Sequence, residues 1–461
     1  MRRSSYVIGI LGDFGGARSR TGVRALAIDR DDFDAVLSAI APQARTELAF
    51  CPELSFDSFE GFTPDAICAR VPALASLVEA RRAVGDPARM KALIAAAGVD
   101  LSAEVAPSPA ATASSRSPAS VSSASSAQSV PSSSPPDGAS LLDSILDERA
   151  DAGAAPGPGG SRSRASGVGD PELTRWVREV ALASVGRTDH ATQDRWRDAI
   201  DATLSARMDA LLHAPAVQHL ESLWTGLRQL VVGTHNGTAL RLRVIDAPGA
   251  ELTLGTPVED CLLREAQVPG GQPVDLVVYA HPVTTPGELR WLGRLARLLS
   301  VPVLAGTAER DHGAELEGID GSSGVTLLYP RILLRLPHGR DSTPAELFPF
   351  EEQASPETPA AYLWGSPALA LARCIAHAFT EYGDPAEVAR FVDLEDLPFH
   401  VFRSAGAPQG FGPTEVPLLE PDIKDLAAAG IVPVIGYRGQ DRARIGKLQT
   451  IARTPMPLAG R

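Results

Sequence analysis

Thirty-five consecutive residues, 106–140, are built almost wholly from Ser, Ala, Pro and Gly, which fill 29 of the positions, with Arg116 and Asp137 the sole charges. Such a stretch cannot bury enough apolar surface to offset its chain entropy, so a disordered linker is expected, with a coil reach of roughly 35 Å. A second loose patch runs from residue 151 to 169. The chain therefore divides into a globular part at 1–105, a linker at 106–170 and a second globular part at 171–461. Between the loose patches lies an island, with Leu141, Leu142, Ile145 and Leu146 on one stripe of a short helix at 141–150. A helix that short is marginal alone, so it needs a docking surface, on its own protein or in a partner's groove.

The remaining composition excludes several function classes. With 43 basic against 56 acidic residues, the formal charge of −13 disfavours nucleic-acid binding. The apolar run at 6–11 is too short for a signal peptide, and no run is long enough to span a membrane, so a cytoplasmic protein without membrane insertion is expected. Cys51, Cys68, Cys261 and Cys374 stand far apart in apolar contexts, as small buried hydrophobes in a reducing compartment would.

Both globular parts read as α/β. In the first, 6–11 is a buried strand, 26–28 a short one and 47–50 another. Asp31 or Asp32 is placed to cap a helix whose Phe33, Val36, Leu37 and Ile40 form a core stripe, and Thr63-Pro64 opens a helix with Ile67, Val71, Leu74 and Val78 on one side. In the second, helical patterns cover 176–185, 196–212 and 220–231. The strand period at 240–244 is followed by strands at 274–280 and 301–305 around a helix at 289–299.

No chemistry emerges from the motifs. Gly12-Asp13-Phe14-Gly15-Gly16 after the first strand has neither the P-loop nor the dinucleotide spacing. Gly321-Ser322-Ser323-Gly324 does not satisfy Gly-x-Ser-x-Gly and reads as a loop. No histidine pair has a metal spacing, and His213 and His219, six apart, read as structural or capping residues. The acidic pairs Glu351-Glu352 and Glu395-Asp396 read as solvated surface. Arg331 and Arg335, four apart in an apolar run, are expected in buried ion pairs. Neither a catalytic residue, a metal ligand nor a cofactor site is assigned.

Three short motifs of the first part, Gly9-Ile10-Leu11-Gly12-Asp13-Phe14-Gly15-Gly16, Ala27-Ile28-Asp29-Arg30-Asp31-Asp32-Phe33 and Phe59-Glu60-Gly61-Phe62-Thr63-Pro64-Asp65, resemble the small subunit of the type VI secretion contractile sheath (TssB/VipA). In the second part, the segments 212–227 and 329–337, Tyr362-Leu363-Trp364-Gly365-Ser366 and Gly412-Pro413-Thr414-Glu415-Val416 resemble the large subunit (TssC/VipB, EvpB family), in the same order. The resemblance implies two sheath-type α/β domains fused in one chain, a structural rather than enzymatic role, and assembly with sheath subunits, an inner-tube (Hcp-like) protein and baseplate proteins. It also implies that the island resembles the large subunit's N-terminal helix, which the unfoldase ClpV reads. The segment before residue 6 and the end at Arg461 lack the family's terminal arms, so a second expectation is an accessory that caps or regulates assembly. A third is an α/β enzyme with an unrecognised site. Interaction residues are expected at Leu141, Leu142, Ile145, Leu146, Trp224, Arg331, Arg335, Trp364 and Glu415.

Overall fold

The computed structural model describes residues 5–99, 190–234, 239–267, 272–310, 318–402 and 410–457, all within one compact unit. The expected linker, the helix at 141–150 and the pattern at 176–185 lie outside the described residues.

The first stretch forms β1 (Tyr6–Gly12), β2 (Arg24–Ile28), α1 (Phe33–Ile40), β3 (Gln43–Arg45), β4 (Glu53–Ser55), α2 (Pro64–Arg70), α3 (Pro72–Arg82) and α4 (Pro87–Ala96). The second begins with α5 (His190–Leu212), α6 (Pro215–Val232), β5 (Leu240–Asp246), α7 (Gly249–Leu254), α8 (Thr256–Gln267), β6 (Leu276–Val283) and α9 (Pro286–Leu299). It continues with β7 (Val303–Thr307), β8 (Val325–Tyr329), β9 (Ile332–Leu333), β10 (Trp364–Gly365), α10 (Pro367–Tyr382), β11 (Asp393–Leu394), β12 (His400–Phe402) and β13 (Gly410–Gly412). The last elements are α11 (Glu420–Ala429), β14 (Ile431–Gly436) and β15 (Ala443–Ile445).

Nine strands make one sheet in the order β11-β15-β14-β8-β7-β6-β1-β5-β2. The six from β14 to β5 are mutually parallel. Every residue of β1 is buried. Tyr6, Ile8 and Ile10 enter the core under α1, α3, α6 and α10, whereas Val7 and Leu11 enter the core under α8, α9 and α11. A strand apolar on both faces belongs in the interior of a parallel sheet, with a partner on each side. Residues 5–99 supply no such partners; β5 and β6 do. The two stretches read from sequence as separate globular parts therefore close on one sheet, and a single core cluster runs from Tyr6 through Met90 and Trp196 to Phe379.

Several local expectations are corrected. The helix expected through Ile67 and Val78 is broken at Val71, because Pro72 forces the residue before it out of the helical region and opens α3. The strand expected at 47–50 is a turn between β3 and β4, closed by the Thr46 N–H donating to the Pro52 carbonyl at 2.9 Å. Asp32 occupies the cap position of α1 but takes no helix N–H; its Oδ1 accepts from the Asp29 N–H instead. Thr63 does cap α2, accepting from Ala66 N–H. The four cysteines are buried thiols. At Gly16, φ is +59° and a Cβ would stand 2.6 Å from the Gln43 carbonyl oxygen, so the turn after β1 admits only glycine.

Candidate functional site

The residues singled out from sequence converge on α6 and on the segment that follows β8. Helix α6 buries Val217, Leu220, Leu223, Trp224 and Leu227 at helical spacing. Trp224 is fully buried, and its indole N–H donates to the Phe14 carbonyl at 3.0 Å. The Phe14 and Phe33 rings meet it edge-on, with centroids 5.4 and 5.7 Å away. A tryptophan of the second stretch is thus gripped by two phenylalanines of the first. Other ties cross the same seam: Tyr6 stacks on Phe379, Arg81 pairs with Asp201, and Asp65 accepts from the Glu346 and Leu347 N–H groups.

One turn before Trp224 on α6, Glu221 is almost wholly buried. Its carboxylate takes the Nε and Nη2 of Arg335, while Arg335 Nη1 donates to Glu352 Oε2 at 2.7 Å. Glu352 also accepts from the His338 backbone N–H at 2.7 Å and stands 3.3 Å from His213 Nε2. Burial alone would raise the Glu352 pKa, but the His213 and Arg335 contacts prevail and hold it at about 2. Burial would lower that of Arg335; the two carboxylates more than offset it. His338, buried beside this cation, is pushed down to about 4, by burial first and the Arg335 charge second. Glu352, read from sequence as solvated surface, is instead the buried anchor of the cluster, because the loop carrying it folds back over α5 and α6. His213 joins the same network, and Gln353 N–H donates to Asp209 on α5.

Arg331 forms a two-pronged pair with Glu415, Nε to Oε2 at 2.8 Å and Nη2 to Oε1 at 2.6 Å, in a half-exposed position. Glu415 N–H donates in turn to the Arg331 carbonyl at 3.0 Å. Trp364 is buried, donates to the Pro359 carbonyl at 2.8 Å, and meets the His400 ring edge-on at 4.7 Å. Its own carbonyl accepts from Ser222 on α6. Trp224, Arg335 and Trp364 are therefore gathered around α6, Arg331 and Glu415 form a second clamp nearby, and all five bind other parts of this chain. Leu141, Leu142, Ile145 and Leu146 lie outside the described residues.

Sequence reasoning missed a further cluster. The carboxylate of Asp246, fully buried at the end of β5, takes Arg20 Nη2 at 2.8 Å and Arg24 Nη2 at 3.0 Å, and Arg20 also pairs with Asp13. Arg20 and Arg24 each lie more than 200 positions from Asp246 in the chain, and no local spacing announces that pairing. Among the described residues, no group of three or more His, Cys, Asp or Glu side chains could hold a metal ion, and no helix is long and apolar enough to cross a membrane.

The charged and aromatic clusters thus bind segments of chain into one body, and the protein they define is an α/β scaffold whose strand β1 is set between two strands of the second stretch. Residues 4–91 match the family described as type VI secretion system, VipA, VC_A0107 or Hcp2. Residues 194–258 and 307–452 match VipB, described as EvpB/VC_A0108, tail sheath N-terminal domain. The chain belongs to the type VI secretion sheath families, with a VipA region and a VipB sheath region in one polypeptide. It is 27% identical over 318 residues to the type VI secretion system sheath protein TssC1 of Pseudomonas aeruginosa; the match covers 58% of this chain and spans 64% of that relative's length. Two solved structures are also similar: the contracted helical sheath of the anti-feeding prophage, at 15% identity and TM-score 0.30 over 49% of this chain and 50% of that one, and the baseplate of the same particle, at 13% identity and TM-score 0.30 over 49% of each.

Proposed function

We propose that the chain is a structural component of a type VI secretion apparatus, a fused sheath-type subunit that works through protein–protein assembly and performs no catalysis. What carries this reading is the occurrence of the VipA and VipB matches in order within one chain, with the VipA strand β1 hydrogen-bonded between β5 and the β6 strand. Covalent fusion sets the ratio of the two regions at one to one and makes their meeting intramolecular. A body held by an interior strand and buried ion pairs transmits load as one piece, which suits a component whose work is mechanical. Its partners on this reading are sheath subunits, baseplate proteins and an inner-tube (Hcp-like) protein, and the island at Leu141–Leu146 is the segment offered to the ClpV unfoldase in the cytoplasm.

Electron microscopy of the purified chain, alone and with the inner-tube protein, tests the assembly. Long tubules are the expected product; discrete particles under every condition would replace the sheath reading with that of a capping or regulatory accessory. Capture by ClpV is expected for the wild type and lost in Leu142→Asp and Ile145→Asp; equal capture of all three would remove the island from the recognition.

A further inference from the structure

At the carboxyl ends of β1, β6 and β7 lies a cleft made of two adjoining cavities of about 730 and 270 Å³, which share His219 and Pro282. It occupies the place where the strand order turns round. From β1 the chain passes to β2 at the edge and returns after α6 to β5, on that same side of β1, and β5 leads through α7 and α8 to β6 on the other side of β1. In open parallel sheets that crevice is where ligands are received. The register of β6 against β7 slips between Tyr279 and Pro282, and the irregularity carries His281 at its centre. Bulges of this kind re-aim side chains beside functional sites.

The free valences of the cleft define its chemistry. The two carboxylates that line it are already engaged. Asp13 Oδ1 accepts from the Gly16 N–H at 2.9 Å and pairs with Arg20, and Oδ2 accepts from the Gly249 N–H at 2.9 Å. Glu288 takes the Tyr279 hydroxyl on one oxygen and, on the other, the backbone N–H and hydroxyl groups of Thr284 and Thr285, all at 2.9–3.1 Å. The histidines differ. His281 Nε2 accepts from the Asp13 backbone N–H at 2.7 Å, which fixes the ring as the neutral tautomer with its proton on Nδ1. That Nδ1–H has no acceptor among the described residues. His219 stacks on the ring, centroids 4.7 Å apart and planes within 16°, and neither of its nitrogens has a partner there. None of these nitrogens is among the sealed, unpartnered atoms of the interior, so they open on the cleft. At the rim, the exposed guanidinium of Arg294 is likewise without a described partner. Both carboxylates are thus engaged, while the His281 Nδ1–H, the N–H of His219 and the charge of Arg294 remain to be satisfied.

We infer that this cleft binds a carboxylate, with the His281 Nδ1–H and His219 donating to its oxygens and Arg294 supplying the charge. Burial lowers the proton affinity of both imidazoles, with His281 at about 3. The arrival of an anion beside His219 reverses part of that effect, so the site takes up proton density as it fills. The carboxylate comes either from a small organic acid or from an acidic side chain of a neighbouring polypeptide. The inference does not depend on the sheath reading, since binding to the isolated chain decides it.

The test is titration of the full chain, with its imidazole nitrogens labelled, using succinate, a blocked tetraglutamate peptide and, at matched ionic strength, sulfate. Succinate or the peptide is expected to shift the His219 and His281 resonances saturably and to raise the pH at which His219 takes its proton. His219→Gln and Arg294→Gln are each expected to weaken binding roughly tenfold, as the loss of one charge-assisted hydrogen bond does. A response to the peptide without one to succinate assigns the carboxylate to a partner protein. No response to either, an equal response to sulfate, or unchanged binding in both variants with an unaltered thermal midpoint overturns the inference.

Discussion

Arg331 and Arg335 stand four residues apart in one segment and each is held by carboxylates, yet the two arrangements are different physical objects. Arg335 lies between two buried carboxylates, Glu221 and Glu352, far apart in the chain and drawn from a helix and a loop. Arg331 meets a single carboxylate, Glu415, across a half-exposed surface in a planar two-pronged geometry. Burial makes the first cluster a commitment: its charges have left water, so removing any one leaves the others uncompensated. The second keeps water as an alternative partner.

The largest effect expected from this contrast is that of Arg335→Met, which strands two carboxylates in the interior and should lower unfolding free energy by about 3–5 kcal/mol, read from urea transitions. A loss of under about 1 kcal/mol would show that solvent reaches the cluster. Glu352→Gln keeps the shape and removes one of the two anions; a loss of about 2 kcal/mol is expected by the same measurement. The acid limb sharpens the point. Glu352 sits at about 2 in the fold against an ordinary 4.5, so its contribution is complete above 4.5 and fades as pH falls toward 2. His338, at about 4 against an ordinary 6.5, is held neutral; its contribution is complete above 6.5 and is lost as pH falls toward 4. Stability measured by chemical denaturation should therefore begin to drop near pH 6.5 and steepen below 4.5, with the lower part flattened in Glu352→Gln. Smallest of all is Arg331→Met, expected to cost about 1 kcal/mol at low salt and less at 1 M salt; insensitivity to salt would mark that pair as more shielded than its exposure indicates.

The same segment shows how far a sequence can be read. The spacing of Arg331 and Arg335 in an apolar run pointed to buried ion pairs; both pairs formed, and of the two that of Arg335 is buried while that of Arg331 is half-exposed. Their partners were illegible, since Glu221 reads as one acidic residue on an amphipathic helix and Glu352 as half of a surface doublet. Periodicity found α1, α6, α9 and the strands at 6–11 and 240–244, because helix and strand faces are local patterns. It placed a helix through Val71 where the steric demand of Pro72 allows none, and it made a strand of 47–50 where Leu48 and Phe50 point inward from a turn. The pairing of β1 with β5 and β6 was beyond it altogether, although the unbroken burial of β1 is the local trace of that demand. In the candidate site, the motif residues, Asp13 and Phe14 among them, were found by their resemblance to a family; Arg20 and Asp246, which complete the seam, have no local signature.

The position of β1 also has a consequence in time. Its neighbours lie at residues 240–246 and 276–279. During vectorial synthesis the strand emerges long before either exists, and it then waits, apolar on both faces, while β2 to β4, helices α1 to α6 and the chain between them are made. Pairings so distant in sequence are slow to form, because the intervening loop must close before any contact rewards it. This interior strand of the finished sheet is thus among the last to be locked in, and the interval before its capture is when the chain most needs shielding from aggregation.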